Sequence, residues 1–76
     1  MIYGVLVARS EHEATAVVMR RRSARMVCRT DDGKPVLIVP LEDNLDLRIF
    51  SMDFPRPAHV LDDRSDAERL ASALYG

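Results

Sequence analysis

Apolar and polar positions follow one another along this chain with two different periods, and most of its elements can be placed from that pattern. Residues 2–8 form an almost unbroken apolar run rich in Ile, Val, Leu and Tyr, which predicts a strand. Gly4 sits inside it, and a glycine within a strand marks a bulge or a close approach by another group. Ser10-Glu11-His12-Glu13 is a polar break.

Residues 14–30 carry two patterns at once. As a hairpin, Thr15, Val17 and Met19 share one face of a strand. A turn follows at 21–23, and then Ala24, Met26 and Cys28 share a face with Arg25 and Arg29 opposite. As a helix, Ser10 is an N-cap, Glu13 closes a capping box, and Ala16, Met19, Ser23, Met26 and Val27 make a stripe. The neighbouring helical stripe through Ala14, Val17 and Val18 runs into Arg21 and Arg25, which would spoil a buried face. The hairpin is therefore the preferred reading.

Thr30-Asp31-Asp32-Gly33-Lys34 lies between two apolar runs and predicts a hairpin turn, since Asp-Gly readily adopts positive φ. Val36–Val39 is then a short strand bracketed by Pro35 and Pro40, neither of which can donate to a ladder. After a second turn at 41–44, residues 45–51 alternate. Leu45, Leu47 and Ile49 point one way and Asp46, Arg48 and Phe50 the other, the pattern of a half-buried strand with Phe50 and Met52 outward. Residues 53–59, with Pro55 and Pro57, read as an extended connector. The last segment predicts a helix, with Ser65 as N-cap, Glu68 three residues on, and Ala67, Leu70, Ala71 and Leu74 on one apolar face.

Strand signals recurring about every ten residues favour a small antiparallel sheet. The expected fold is α+β and mainly β: five antiparallel strands, or an SH3-like partly open barrel, with one C-terminal helix. The alternative order is β-α-β-β-α. With 76 residues the chain makes a single domain, 1–76, with a thin core. A composition of 47% apolar and 30% charged residues separates it from disordered chains. The lone Cys28 allows no internal disulfide. The N-terminal apolar run is short and meets Arg9 at once, so the expected setting is soluble and cytoplasmic, with no membrane partner.

The chemistry-bearing residues do not assemble into a motif. His12, His59 and Cys28 lack the close ligand pair of a zinc site. Cys28 falls on the apolar alternation and reads as a small buried hydrophobe. Asp31-Asp32, Glu42-Asp43 and Asp62-Asp63 fall in turns or at a helix approach, where acids serve local hydrogen bonding. The three glycines form no phosphate-binding loop. The expectation is a protein with no enzymatic activity, no cofactor and no metal.

Charge is segregated. Between residues 14 and 30 lie Arg20, Arg21, Arg22, Arg25 and Arg29 with no acid, whereas the chain from residue 35 onward has eight acids against four arginines. The simplest consequence is internal, with arginines facing aspartates across the domain. The functional expectation is a small protein-binding module acting as an adaptor, regulator or inhibitor, for example a phage-type inhibitor of host machinery. Its binding residues would be the five arginines together with Phe50, Met52 and Phe54 as an apolar anchor, and homodimerisation through an exposed strand edge is a variant of the same reading. The alternative is a nucleic-acid-binding barrel using the arginine cluster at 20–29. The two Phe, two Tyr and absence of Trp count against that alternative, since single-strand binders stack bases on aromatic side chains.

Overall fold

A computed structural model describes residues 1–54 and 58–75. Four strands and three helices follow in the order β1 (Ile2–Val7), α1 (Glu11–Arg20), β2 (Arg25–Arg29), β3 (Pro35–Leu41), α2 (Asn44–Asp53), β4 (Ala58–Leu61) and α3 (Arg64–Tyr75). The strands form one antiparallel sheet in the order β2-β3-β1-β4. Each of the units β1-α1-β2 and β3-α2-β4 thus returns to the sheet one strand away, leaving room for a strand of the other unit between its own two. This is the split βαβ plan of ferredoxin-like folds, with α3 added. The expected α+β class and antiparallel sheet are present, but among the described residues there is no fifth strand and no SH3-like barrel.

Two segments account for the difference. The first is 11–20, which is helical. The Ser10 hydroxyl accepts the Glu13 N–H at 3.1 Å, and the Glu13 carboxylate accepts the Arg9 N–H at 2.8 Å. Together they satisfy two donors at the helix start, and this local capping outweighs the β-branched run Thr15, Val17, Val18. The helix stops at Arg21, whose backbone is extended, and only the second half of the expected hairpin is a strand. The second segment is 44–53. The Asp43 carboxylate accepts the Asp46 N–H at 2.8 Å, and Leu47, Phe50 and Phe54 meet the core at spacings of three and four. A six-residue alternation is too short to exclude this period, and the cap decides for helix.

The turn at 30–34 forms where expected, although of the Asp32-Gly33 pair only Gly33 takes positive φ. Gly33 has φ 86°, and the Thr30 and Lys34 backbones close the loop with a 2.9 Å hydrogen bond. Strand β3 runs through both prolines rather than stopping at them. The Pro35 carbonyl accepts from Ala8 N–H at 2.8 Å on the β1 side. Backbone groups alternate along a strand, so the Pro40 nitrogen faces the β2 side. There the β2 ladder has already ended at Arg25 opposite Ile38, and the missing donor costs no sheet bond. β4 occupies the end of the segment read as a connector, whose prolines Pro55 and Pro57 lie outside the described residues. Helix α3 begins before Ser65. The Asp63 carbonyl accepts Ala67 N–H at 3.0 Å and its carboxylate accepts Ser65 N–H at 3.4 Å, so Asp63 fills the role expected of Ser65.

The sheet is covered on both sides. Leu6, Ala8, Leu37, Val39 and Leu41 face Ala14 and Val17 of α1 and Phe50 of α2. Val5, Val7, Val36 and Ile38 face Ala67 and Ala71 of α3, with Cys28 and Leu70 at the margin. Gly4 marks a close approach. A Cβ there would stand 2.7 Å from the Phe50 ring, so the missing side chain is the space the ring fills. The bulge in the sheet lies elsewhere, on edge strand β2 between Met26 and Cys28. It turns Cys28 toward α3, where its Sγ lies 3.8 Å from the Ala71 carbonyl oxygen.

Candidate binding surface

The five arginines are not one patch. Arg21, just past the end of α1, reaches α2 and donates to Asp46 at 2.8 Å, with its guanidinium 5.9 Å above the Phe50 ring. Asp46 is also held by Glu42 N–H at 3.1 Å. Burial acts to raise the Asp46 carboxyl, but the Glu42 N–H and the hydrogen bond and charge of Arg21 outweigh it and keep its pKa below the ordinary carboxylate value. Arg29, on edge strand β2, pairs with Glu11 of α1 and donates to the Gly33 carbonyl at 3.0 Å. Arg20, Arg22 and Arg25 are exposed and make no ion pair among the described residues.

Arg20, Arg21, Arg22 and Ser23 form one wall of a surface cleft of 580 Å³; Asp46, Ile49 and Asp53 of α2, with Glu42, form the other. The cleft runs between the two helices, outside both apolar clusters. The segregation of charge along the chain therefore becomes an apposition in space, with basic and acidic walls facing each other.

The apolar part of the expected site is rearranged by the helical state of 44–53. Phe50 is fully buried and cannot be an exposed anchor; it is the largest fully buried side chain among the described residues. Phe54 caps the end of α2, is half-buried and lies 5.5 Å from the Phe50 ring. Met52 remains outward, 81% exposed. It is joined by Leu45 and Ile49, which the strand reading had turned inward and which are 65% and 46% exposed. Leu45, Ile49 and Met52 lie four and three residues apart, so they form one stripe on the outer face of α2. Met19 and Val18 on α1 add exposed apolar surface to the same helical layer. The sequence signal for this stripe was present, but it reads as a stripe only once the period is known to be helical.

Among the described residues no group of three or more His, Cys, Asp and Glu side chains is placed to hold a metal ion. No helix among them is long and apolar enough to cross a membrane. No protein-family model, curated protein or solved structure matches the chain.

Proposed function

We propose that this protein is a non-enzymatic protein-binding module, an adaptor, regulator or inhibitor that engages its partner through the outer surface of the α1/α2 layer. The observation that carries this reading is the stripe Leu45, Ile49 and Met52. It stands on the side of α2 opposite the buried Phe50 and the partly buried Leu47. A helix with apolar side chains on both faces is ordinarily enclosed on both, and contiguous exposed apolar surface marks interaction sites. The polar cleft beside it supplies a charged rim of the kind that fixes register in protein interfaces.

The nucleic-acid reading rests on Arg20, Arg22 and Arg25, which are exposed without ion pairs among the described residues. It is the weaker one. Glu42, Asp46 and Asp53 line the cleft that holds Arg20 and Arg22 and oppose a phosphate backbone. The sheet face on which a βαββαβ module would stack bases lies under α3.

Affinity capture from the source cell with tagged protein tests the proposal. One stoichiometric partner is expected, released by Leu45→Glu and retained by Arg22→Ala. Capture that survives Leu45→Glu overturns the surface assignment. A mobility shift of mixed oligonucleotides that weakens steeply with salt and disappears in an Arg20→Ala/Arg22→Ala variant would transfer the function to nucleic acid.

A further inference from the structure

We infer that α2 is a self-association helix, and that two copies of this chain pair with their α2 helices parallel, burying Leu45, Ile49 and Met52 against the same residues of the second copy. The inference rests on the protein-binding reading above and gives the same surface a second use, as a weak contact between two copies.

Three observations on one helix support it. The exposed stripe has the spacing of a coiled-coil seam. Leu45 and Met52 occupy positions of the d type and Ile49 a position of the a type between them, and among parallel coiled coils a β-branched residue at a with Leu-like residues at d favours two strands over three or four. The charges flanking that seam have opposite signs on opposite sides. Arg48 occupies the g position on one flank, and Asp46 and Asp53 occupy e positions on the other, turned toward the cleft with α1. Arg48 and Asp53 are both exposed and make no ion pair among the described residues.

These flanks fix the orientation. In a parallel two-fold pair the g flank of one helix meets the e flank of the other, five residues further along. Arg48 then faces Asp53 of the second copy, and the symmetry supplies this contact twice. In an antiparallel pair like flanks meet, and Arg48 would face the second copy's Arg48. Only the parallel arrangement satisfies both charges. A seam of three side chains is short, so the contact belongs with weak and transient interfaces, with a dissociation constant on the order of 100 μM.

Sedimentation velocity from micromolar to millimolar concentration tests this on the intact chain. The wild type should pass from monomer to dimer. Ile49→Asp should raise the dissociation constant at least about 30-fold while keeping the wild-type circular-dichroism spectrum, since Ile49 is partly exposed. If that variant misfolds, Leu45→Glu, at a more exposed position, serves the same purpose. Arg48→Asp should weaken the dimer about fivefold, and Arg48→Asp/Asp53→Arg should restore it. In a Cys28→Ser background, Met52→Cys should cross-link to itself on oxidation. A wild type that stays monomeric overturns the inference and leaves the protein-binding reading to its own capture test. Tighter association in Arg48→Asp, or no cross-link from Met52→Cys in a dimer, overturns the parallel pairing. An Ile49→Asp variant that dimerises like wild type overturns the surface.

Discussion

Helices α2 and α3 have similar lengths and both pack on the sheet, yet only one of them is finished by doing so. α3 buries Ala67 and Ala71 and turns charge outward, where Arg64 pairs with Glu68 and Asp66 with Arg69 along its own surface. It is an ordinary amphipathic helix whose polar face is satisfied by itself and by water. α2 buries Phe50, packs the partly buried Leu47 against the core and still shows Leu45, Ile49 and Met52 to solvent. The difference separates what holds the fold from what the fold displays. One apolar face per helix is enough to close this small core, and the second face of α2 adds nothing to it.

That comparison can be broken most strongly from the inside. Phe50→Ala should cost about 3–5 kcal/mol, a large part of the stability available to a domain of this size, as read from the midpoint of urea unfolding. Next comes Gly4→Ala, whose methyl group meets the Phe50 ring at 2.7 Å; overpacking of this kind costs about 1–3 kcal/mol. In a Phe50→Leu background the Gly4→Ala penalty should shrink, which a double-mutant cycle would read directly. Arg21→Ala removes a half-buried, charge-assisted hydrogen bond between α1 and α2 and should cost about 1–2 kcal/mol.

The same contact gives a pH dependence with a definite sign. The Asp46 carboxyl is held below its ordinary value. Its contribution is therefore complete above the ordinary carboxylate range and lost as pH falls through the lowered native value. Unfolding free energy should decline below about pH 4, and Asp46→Asn should flatten the decline. The smallest effect sharpens the comparison from outside: Leu45→Gln should change stability by no more than about 0.5 kcal/mol. A larger loss would mean that the outer face of α2 also supports the fold.

The sequence was most legible where one local signal had no rival. The Asp32-Gly33 turn, strand β1 and the part of the α3 apolar face made by Ala67, Leu70 and Ala71 stand where their residues predict, as does the close approach at Gly4, whereas Leu74 of that face is exposed. It was least legible where two periods fitted the same residues. Over 45–50, Leu45, Leu47 and Ile49 alternate like a strand, while Leu47, Phe50 and Phe54 repeat like a helix. Propensity does not separate the two; the Asp43 cap does, and that cap is one residue of a turn already assigned to the loop. The same holds at Ser10 and Glu13, where a capping box was visible but set against an arginine-laden face. Arg21 resolves that conflict, since it leaves the helix surface to cover Phe50 and bond Asp46. The candidate site moved with these elements. Met52 stayed, Phe50 entered the core, and Leu45 and Ile49 replaced it.

The strand order has a consequence for synthesis. β1 is a central strand, paired with β3 on one side and β4 on the other, so the first strand to be made waits for partners encoded late in the chain. Tyr3 stands opposite Pro40 in one neighbouring strand and Leu61 in the other. Contacts this distant in sequence slow folding, because the chain must close long loops before they are rewarded. Until β4 has been made, the apolar segment Ile2–Val7 has at least one open edge. It is therefore the stretch of nascent chain most exposed to misassociation, and the one a chaperone would have most reason to hold.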